Sequence, residues 1–262
     1  MELDLPRHTN RALTVVSLLL AMFLAAMEMT VVSTAMPTAV GELGGIHLYA
    51  WVFAAYMLTA TVTLPIYGKL ADLYGRKPVM LVGIALFLGG SFLCGHAGGM
   101  NTLIVFRAIQ GLGAGAIQPI AMTIVGDLYD VHHRARIQGV LGAVWGLAGL
   151  IGPILGGAIV HWLSWRWVFY VNIPLGLGCA AALVLAYHEK VERHDHRLDF
   201  AGAALLSITV VLALLAARSR AEGLGFSPRS PRSPSGGPSL PRWRDGCCRG
   251  RGTGRSSAEA WR

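Results

Sequence analysis

Two ionisable side chains lie inside apolar stretches of this 262-residue sequence, where a charge is costly. Glu28 lies in "AAMEMTVVSTAMPTAV" and Arg107 lies in "LIVFRAIQGLGAGAIQP". Such groups usually face a protein interior or a water-filled cavity and mark ion or proton pathways. Arg107 lies about 7 Å inside its stretch, so snorkelling of its long side chain to the surface is the alternative. Glu28 lies about 13 Å from the outer end of its stretch, where snorkelling is harder for a short carboxylate.

These stretches are predicted membrane spans, which makes the chain an all-α membrane protein. Hydrophobic residues make up 54% of the sequence and charged residues only 14%, against about 25% charged residues in soluble domains. The first run is too long for the apolar part of a cleaved secretory signal, so we interpret it as a span. Seven runs approach the roughly 20 apolar residues that a spanning helix needs: Leu13–Met36, Tyr49–Tyr67, Val79–Ala97, Leu103–Val125, Ile137–Trp162, Trp167–Tyr187 and Phe200–Ala217.

The basic residues predict a cytoplasmic N-terminus (residues 1–12) and a multi-pass protein of the cell membrane. Short loops rich in Lys and Arg stay in the cytoplasm, and the opposite side holds a single basic residue, Arg166. Four tryptophans, Trp51, Trp162, Trp165 and Trp167, are then expected in the outer aromatic belt. Ten basic residues occupy the predicted cytoplasmic side: Arg7, Arg11, Lys69, Arg76, Lys77, Arg134, Arg136, Lys190, Arg193 and Arg197.

The predicted organisation is a six-helix bundle over 13–187, a cytoplasmic loop over 188–198, a seventh helix over 199–217 and a tail over 218–262. The tail holds 10 Arg and three acidic residues and is rich in Pro, Ser and Gly, a composition typical of disorder. The high pI of about 9.7 therefore belongs to the tail, and we expect no nucleic-acid partner. The abrupt change in composition suggests a reading-frame change or truncation, with a genuine extracellular basic tail as the alternative.

Six local patterns follow one another over residues 10–217. They are "EMTVVSTAMP", "GKLADLYGRKPVML", "FRAIQGLGAG", "GPILGGAIV", "LSWRWVFYVNIPLG" and "LDFAGAALL". Together they resemble the motifs of the major facilitator superfamily, and in particular of its 14-span drug:proton antiporters. Two positions differ from the pattern of that branch, because Glu28 replaces the usual Asp and Ser33 replaces the usual Asn.

The resemblance implies a fold of two six-helix halves, each built from 3+3 inverted repeats. This chain then contains the N-terminal half and a seventh helix, without the C-terminal half. The implied function is multidrug efflux: proton-coupled antiport of small lipophilic or cationic compounds across the lipid bilayer. The proton gradient supplies the energy, so no cofactor is expected and the protein is not an enzyme. The alternatives are a truncated fragment that does not transport, a half-carrier that homodimerises, and a seven-span receptor, which the motifs do not favour.

The inverted repeats make the first and fourth spans counterparts that line one cavity. Glu28 and Arg107 then differ in depth by about 6 Å, within reach of an Arg side chain. We hypothesise that Arg107 tunes the proton affinity of Glu28, directly or through Gln110 and water, because a nearby cation favours the carboxylate whereas burial favours the neutral acid. Candidates for an apolar, aromatic cavity lining are Phe53, Tyr56, Met57, Met122 and Trp145.

The segment "GKLADLYGRKP" is interpreted as the loop between the second and third spans. Gly68 permits close approach of another backbone, and Gly75 permits a tight turn. Asp72 is expected to pair with Arg76 or to cap a helix, while Arg76 and Lys77 also serve as topology signals. In the resembling family this loop is a conformational latch against the C-terminal half.

Glycines in the fifth span follow a helical spacing that favours close packing of helices in lipid. Pro153 is expected to kink this helix, and in the resembling antiporters such a bent helix lies between the two halves. Simple packing is an equally good interpretation. The glycines are Gly142, Gly146, Gly149, Gly152, Gly156 and Gly157.

Other site classes find little support in the sequence. We find no Walker loop, no dinucleotide fingerprint, no nucleophile elbow and no Cys/His set with metal-ligand spacing. The four cysteines do not suggest a disulfide framework. The segment "HEKVERHDHR" carries three His, and a solvated loop explains it better than a metal site.

Overall fold

A computed structural model describes residues 9–189 and residue 209, without the side chains at positions 131, 132, 134 and 135. The predicted seventh helix and the tail therefore lie outside the described residues, apart from Thr209. Within the described part, six segments are long and apolar enough to cross a membrane, and no strand occurs there. The helices are α1 (Arg11–Leu43), α2 (Tyr49–Tyr74), α3 (Arg76–Gly95), α4 (Met100–Leu128), α5 (Val131–Trp162), α6 (Trp167–Tyr170) and α7 (Asn172–Ala186), with a 3-10 turn at Ile46–Leu48.

Helices α1, α2, α4 and α5 extend beyond their apolar runs at one end or at both, because neighbouring polar residues continue the helix. The side chain of Asn10 accepts a hydrogen bond from the backbone N–H of Leu13 and caps α1, which satisfies one of the free donors at the helix start. α1 continues through Pro37 to Leu43. The sixth span is formed by α6 and α7 in sequence over Trp167–Ala186.

The helices pack in a pattern that the inverted repeats explain. α4 packs mainly on α2 and α3, whereas α1 packs mainly on α5 and α7. The first helix of each repeat thus pairs with the second helix of the other repeat. This arrangement agrees with the predicted 3+3 bundle and leaves α2 and α5 at the periphery, with most of their apolar windows unburied.

Close packing of small residues occurs on α4 as well as on α5, and the sequence reasoning predicted it only for α5. An added Cβ at Gly115 would lie 2.6 Å from the carbonyl oxygen of Ala60 on α2, and one at Gly113 would lie 2.5 Å from that of Gly83 on α3. The "GLGAG" segment therefore lets α2 and α3 approach α4 closely.

Only part of the predicted α5 glycine face packs in this way. A Cβ at Gly152 would lie 2.6 Å from the Cβ of Thr30 on α1, and Gly156 also contacts α1. The other four glycines would place a Cβ with no atom of the described residues within 4 Å. Their spacing places most of them on one face of α5, as predicted. Most of that face, however, contacts no other helix among the described residues. These four are Gly142, Gly146, Gly149 and Gly157. Pro153 lies within α5, with its side chain exposed.

The segment predicted to be the loop between the second and third spans is helical except at one residue. Gly75, with a φ of 94°, separates α2 from α3, so the prediction of a tight turn at this glycine is confirmed. The expected close approach at Gly68 is wrong, because an added Cβ there meets nothing within 4 Å among the described residues. Asp72 on α2 is exposed.

The expected partners of Asp72 bind other carboxylates. Arg76 forms an ion pair with Asp127 at the end of α4. The side chain of Glu189 accepts hydrogen bonds from the backbone N–H groups of Arg76 and Lys77, at 2.7 and 2.9 Å. Glu189 therefore occupies the helix start that the sequence assigned to Asp72, where a carboxylate complements the helix dipole.

Of the four tryptophans expected in the aromatic belt, three are exposed to the surroundings of the bundle and one is not. Trp162, Trp167 and Trp51 are 76%, 48% and 36% exposed, whereas Trp165 is completely buried. The indole N–H of Trp165 donates to Glu42 at 2.8 Å, and its ring packs edge-on against Phe169. Trp165 is therefore a core residue, because protein rather than lipid surrounds it.

Candidate functional site

A cluster of polar side chains is enclosed in the bundle at the level of Glu28. Glu28 is 1% exposed, and Arg107 and Gln110 are fully buried. Nη1 of Arg107 donates to Oε1 of Glu28 and, at 2.9 Å, to Oε1 of Gln110. The three residues named from the sequence are thus in contact, and the direct pairing of Glu28 with Arg107 is the one that the depth argument anticipated.

Arg107 points into the protein, so the snorkelling alternative is wrong. Its Nε donates to the carbonyl oxygen of Val52 at 3.5 Å. The guanidinium carbon lies 4.3 Å from the ring centroid of Tyr56 and 5.9 Å from that of Phe169. These rings stabilise the cation through their π faces and hold it beside Glu28.

Two further polar residues of the cluster were missed by the sequence reasoning. Nδ2 of Asn172, at the start of α7, donates to Oε2 of Glu28 and, at 2.9 Å, to Oγ of Ser91 on α3. Both residues are buried. Both residues are uncharged, so neither interrupts the hydropathy of its span. Asn172 does belong to the quoted motif "LSWRWVFYVNIPLG", and that motif could have identified it as a site residue.

The cluster places one carboxyl beside one guanidinium inside the bundle. Two buried donors of the cluster remain without an acceptor among the described residues: Nη2 of Arg107 and Nε2 of Gln110. They are available to a further acceptor, such as a bridging water molecule.

An apolar cavity of about 350 Å³ lies next to this cluster. Tyr56 belongs to both, because it lines the cavity and its ring covers the guanidinium of Arg107. Met57 and Trp145 line the cavity as predicted. They are 50% and 43% exposed, so the cavity is open at the surface of the bundle. The remaining lining residues are Met22, Ala25, Met29, Ala60, Thr61, Leu64, Ala114, Gly115, Ile117, Gln118 and Pro119.

The other two predicted lining residues are elsewhere. Phe53 packs against the ring of Tyr49 at 5.5 Å between centroids and against a buried apolar cluster that includes Val52. Met122 packs against a different buried apolar cluster, which includes Ile84 and Phe87. The cavity walls consist instead of smaller residues and additional methionines, whose flexible thioethers suit ligands of varied shape.

Comparison with known proteins places this bundle in a family. The sequence profile described as Major Facilitator Superfamily matches residues 18–236. The chain belongs to this superfamily. The human organic anion transporter MFSD10 (TETRAN) has a crystal structure with a TM-score of 0.63 and 18% identity, over 75% of this chain and 53% of that one, which supports the fold alone.

The curated relatives include multidrug transporters. "Multidrug resistance protein 3" of Bacillus subtilis (strain 168) is 43% identical over 82% of this chain and 42% of its own length. "Multidrug transporter protein MdtP" of the same organism is 43% identical over 80% of this chain and 39% of its own length. "Efflux pump FUS6" of Gibberella moniliformis is 37% identical over 76% of this chain and 37% of its own length. The chain thus spans about two fifths of the length of the curated relatives that it matches.

Proposed function

We propose that this chain forms the N-terminal half of a proton-coupled exporter of small lipophilic compounds, in which Glu28 carries the proton. The supporting observation is the enclosed contact of Glu28 with Arg107, beside an apolar cavity in a membrane bundle. An intramembrane carboxyl is costly, and it is found where ions or protons pass. The similarity to multidrug transporters supports export of drug-like compounds.

The position of the pair beside the cavity gives a means of coupling. With Glu28 ionised, its carboxylate balances the charge of Arg107. With Glu28 protonated, one net positive charge remains in a low-dielectric region. Tyr56 contacts both the cavity and the guanidinium of Arg107. A compound bound in the cavity would therefore change the affinity of Glu28 for a proton, and a proton on Glu28 would change the affinity of the cavity for the compound.

The proposed location is the cell membrane, with the N-terminus in the cytoplasm. The bundle end that holds the start of α1 also holds Arg76 and Lys77 at the start of α3. The backbone N–H of Asn10 donates to the carbonyl oxygen of Ala186 at 3.0 Å, and Glu189 binds the start of α3. Concentration of basic residues at this end supports the cytoplasmic assignment.

The decisive test compares two substitutions of Glu28 in a full-length carrier that contains this first span. Efflux driven by a pH gradient is measured in everted vesicles. Glu28→Gln removes the ionisable group but retains the size of the side chain, so we expect loss of gradient-driven efflux. Glu28→Asp, which restores the residue usual in the resembling branch, should retain it. Unchanged efflux by Glu28→Gln would refute the proton-carrying role.

A second candidate is that this chain alone is a fragment that does not transport. Alternating access needs two halves around a site at the membrane midplane. This candidate is supported by Met57 and Trp145, which line the cavity and are about half-exposed among the described residues. The same vesicle assay on this chain alone, and on the chain joined to a C-terminal half, separates the candidates. Efflux by the chain alone, together with a dimer in cross-linking, would support a homodimeric half-carrier.

A further inference from the structure

Two membrane-spanning helices that line the apolar cavity carry an internal proline. Pro65 lies within α2 and Pro119 lies within α4. Proline has no backbone N–H, so it cannot donate to the carbonyl oxygen four residues earlier, and its ring crowds that carbonyl group. The carbonyl oxygens of Thr61 and Gly115 therefore lack the partner that a regular helix provides.

The threonine hydroxyls near these two carbonyls do not replace the missing partners. In the hydrocarbon region, a Ser or Thr side chain can bind a carbonyl that a proline has freed. The hydroxyls of Thr61 and Thr63 each donate instead to a backbone carbonyl one turn earlier in α2, at 2.8 Å in both cases. The hydroxyl of Thr123 donates to the carbonyl oxygen of Pro119 at 2.8 Å. Among the side chains that the structure describes, these hydroxyls thus leave both carbonyl oxygens available as acceptors.

Both carbonyls lie beside the cavity. In an α-helix a carbonyl points towards the C-terminus, near the residues three and four positions later. Gly115 lines the cavity together with Gln118 and Pro119, and Thr61 lines it together with Leu64. α2 and α4 are the first and third of three consecutive spans and therefore run in the same direction, so the two carbonyls also point the same way.

The cavity offers acceptors without offering a formal charge. All of its lining residues are uncharged, and the charge of Arg107, behind the ring of Tyr56, is balanced by Glu28. Carbonyl oxygens accept hydrogen bonds but cannot donate them, and backbone carbonyls coordinate cations in channel filters. The rings of Tyr56 and Trp145 in the same lining attract cations through their π faces. Such a lining favours a cation that has hydrogens to donate.

We propose that the carbonyl oxygens of Thr61 and Gly115 form a binding site for the N–H groups of a protonated, lipophilic primary or secondary amine. Pro65 and Pro119 create this site because they leave the two oxygens without intrahelical donors. The inference rests on the proposed export of small lipophilic compounds and adds the chemical group by which the cavity recognises them. A primary or secondary ammonium group has at least two N–H hydrogens, one for each carbonyl, whereas a quaternary ammonium group of equal charge has none.

The test compares two ligands of equal charge. (2-Naphthylmethyl)ammonium and its N,N,N-trimethyl derivative share one aromatic body, but only the first has N–H groups. Their binding to the purified chain in nanodiscs is measured by isothermal titration calorimetry, with the signal of empty nanodiscs subtracted. Because hydrogen bonds from a charged donor are strong, the ammonium ligand should bind at least about tenfold more tightly than the trimethyl ligand.

Alanine in place of either proline restores the missing N–H group. Pro119→Ala gives the carbonyl of Gly115 an intrahelical donor, and Pro65→Ala does the same for Thr61. Each variant should lower the preference for the ammonium ligand by about threefold, and the double variant should remove it. The trimethyl ligand should bind equally well to all of these proteins, which shows that the cavity itself is intact.

Pro153→Ala is the matched control. Pro153 is an internal proline of α5, but the carbonyl that it frees belongs to Gly149, which is not among the residues that line the cavity. This variant should therefore keep the preference for the ammonium ligand. Gln118→Leu removes an exposed side-chain amide from the lining and should keep the preference as well, because the acceptors belong to the backbone.

Several results would overturn this inference. They are equal binding of the two ligands by the unchanged chain, binding of neither ligand, a preference that survives in the double variant, and a preference that is lost in Gln118→Leu. Loss of both ligands from all three proline variants would also overturn it, because the prolines would then act through the shape of their helices. None of these results decides the role of Glu28, which the efflux of Glu28→Gln tests separately.

Discussion

Substitution of Gly90 by alanine tests how closely α3 and α4 must approach to form the buried cluster. A Cβ at Gly90 would lie 2.5 Å from both Cα and N of Gln110, which are backbone atoms that cannot rotate away. Carbon atoms in contact prefer about 3.5–4.0 Å, so the helices would have to separate locally by about 1 Å. That movement carries Gln110 of α4 away from Sγ of Cys94 on α3, which now donates to Oε1 of Gln110 at 3.6 Å.

Gly89 provides a control that differs by one position. An alanine there meets no atom of the described residues within 4 Å, while the gain in helix propensity, about 1 kcal/mol, is the same for both substitutions. The difference between Gly90→Ala and Gly89→Ala therefore isolates the overpacking cost, which is about 1–3 kcal/mol. Unfolding by sodium dodecyl sulfate, followed by far-UV circular dichroism in mixed micelles, measures it. Equal stability of the two variants would refute the close approach on which the cluster depends.

Three further substitutions test the other contacts of the bundle. Arg107→Met leaves the carboxylate of Glu28 buried without its cation and should cost about 3–5 kcal/mol of unfolding free energy; the double variant with Glu28→Gln should recover part of this loss, and no recovery would argue against a pairwise contact. Gly152→Ala should destabilise the packing of α5 on α1 by about 1–3 kcal/mol in the same unfolding assay, whereas Gly149→Ala should not, and an equal loss from both would contradict the packing described. Glu189→Gln should cost about 1 kcal/mol and lose most of its effect in high salt, so an effect that ignores salt would show that charge is not its cause.

The sequence predicts the membrane-spanning helices of this fold well, because a helix that crosses a lipid bilayer must be apolar over its whole length. The first six of the seven apolar runs correspond to helices, and the depths of Glu28 and Arg107 agree with their contact. Helix ends were less predictable. α2 continues to Tyr74 and α3 starts at Arg76, because charged residues form helix as readily as they form loops once they leave the hydrocarbon.

The parts of the site that escaped prediction depend on neighbours rather than on residue type. Asn172 and Ser91 look ordinary in a sequence and gain their role from the carboxylate that the fold brings to them. The glycines of α5 have the three- and four-residue spacing of a packing face, whereas Gly111, Gly113 and Gly115 of α4 are two residues apart and are covered on two sides by α2 and α3. Trp165 is buried because it packs against Glu42 and Phe169. The aromatic-belt rule considers only the position of a residue along a span, so it could not predict these contacts.

The segment from Trp165 to Asn172 holds α1 at two depths. At its beginning, Trp165 and Arg166 both donate to Glu42, at 2.8 and 3.0 Å. At its end, Asn172 donates to Glu28, 14 residues earlier on α1 and therefore about 21 Å away along the helix axis. A rod attached at two such points cannot slide or turn about its own axis without breaking one attachment. The height of α1 relative to α6 and α7 is therefore fixed, and a sliding movement of α1 past them would have to break the bond at Glu42 or the bond at Glu28.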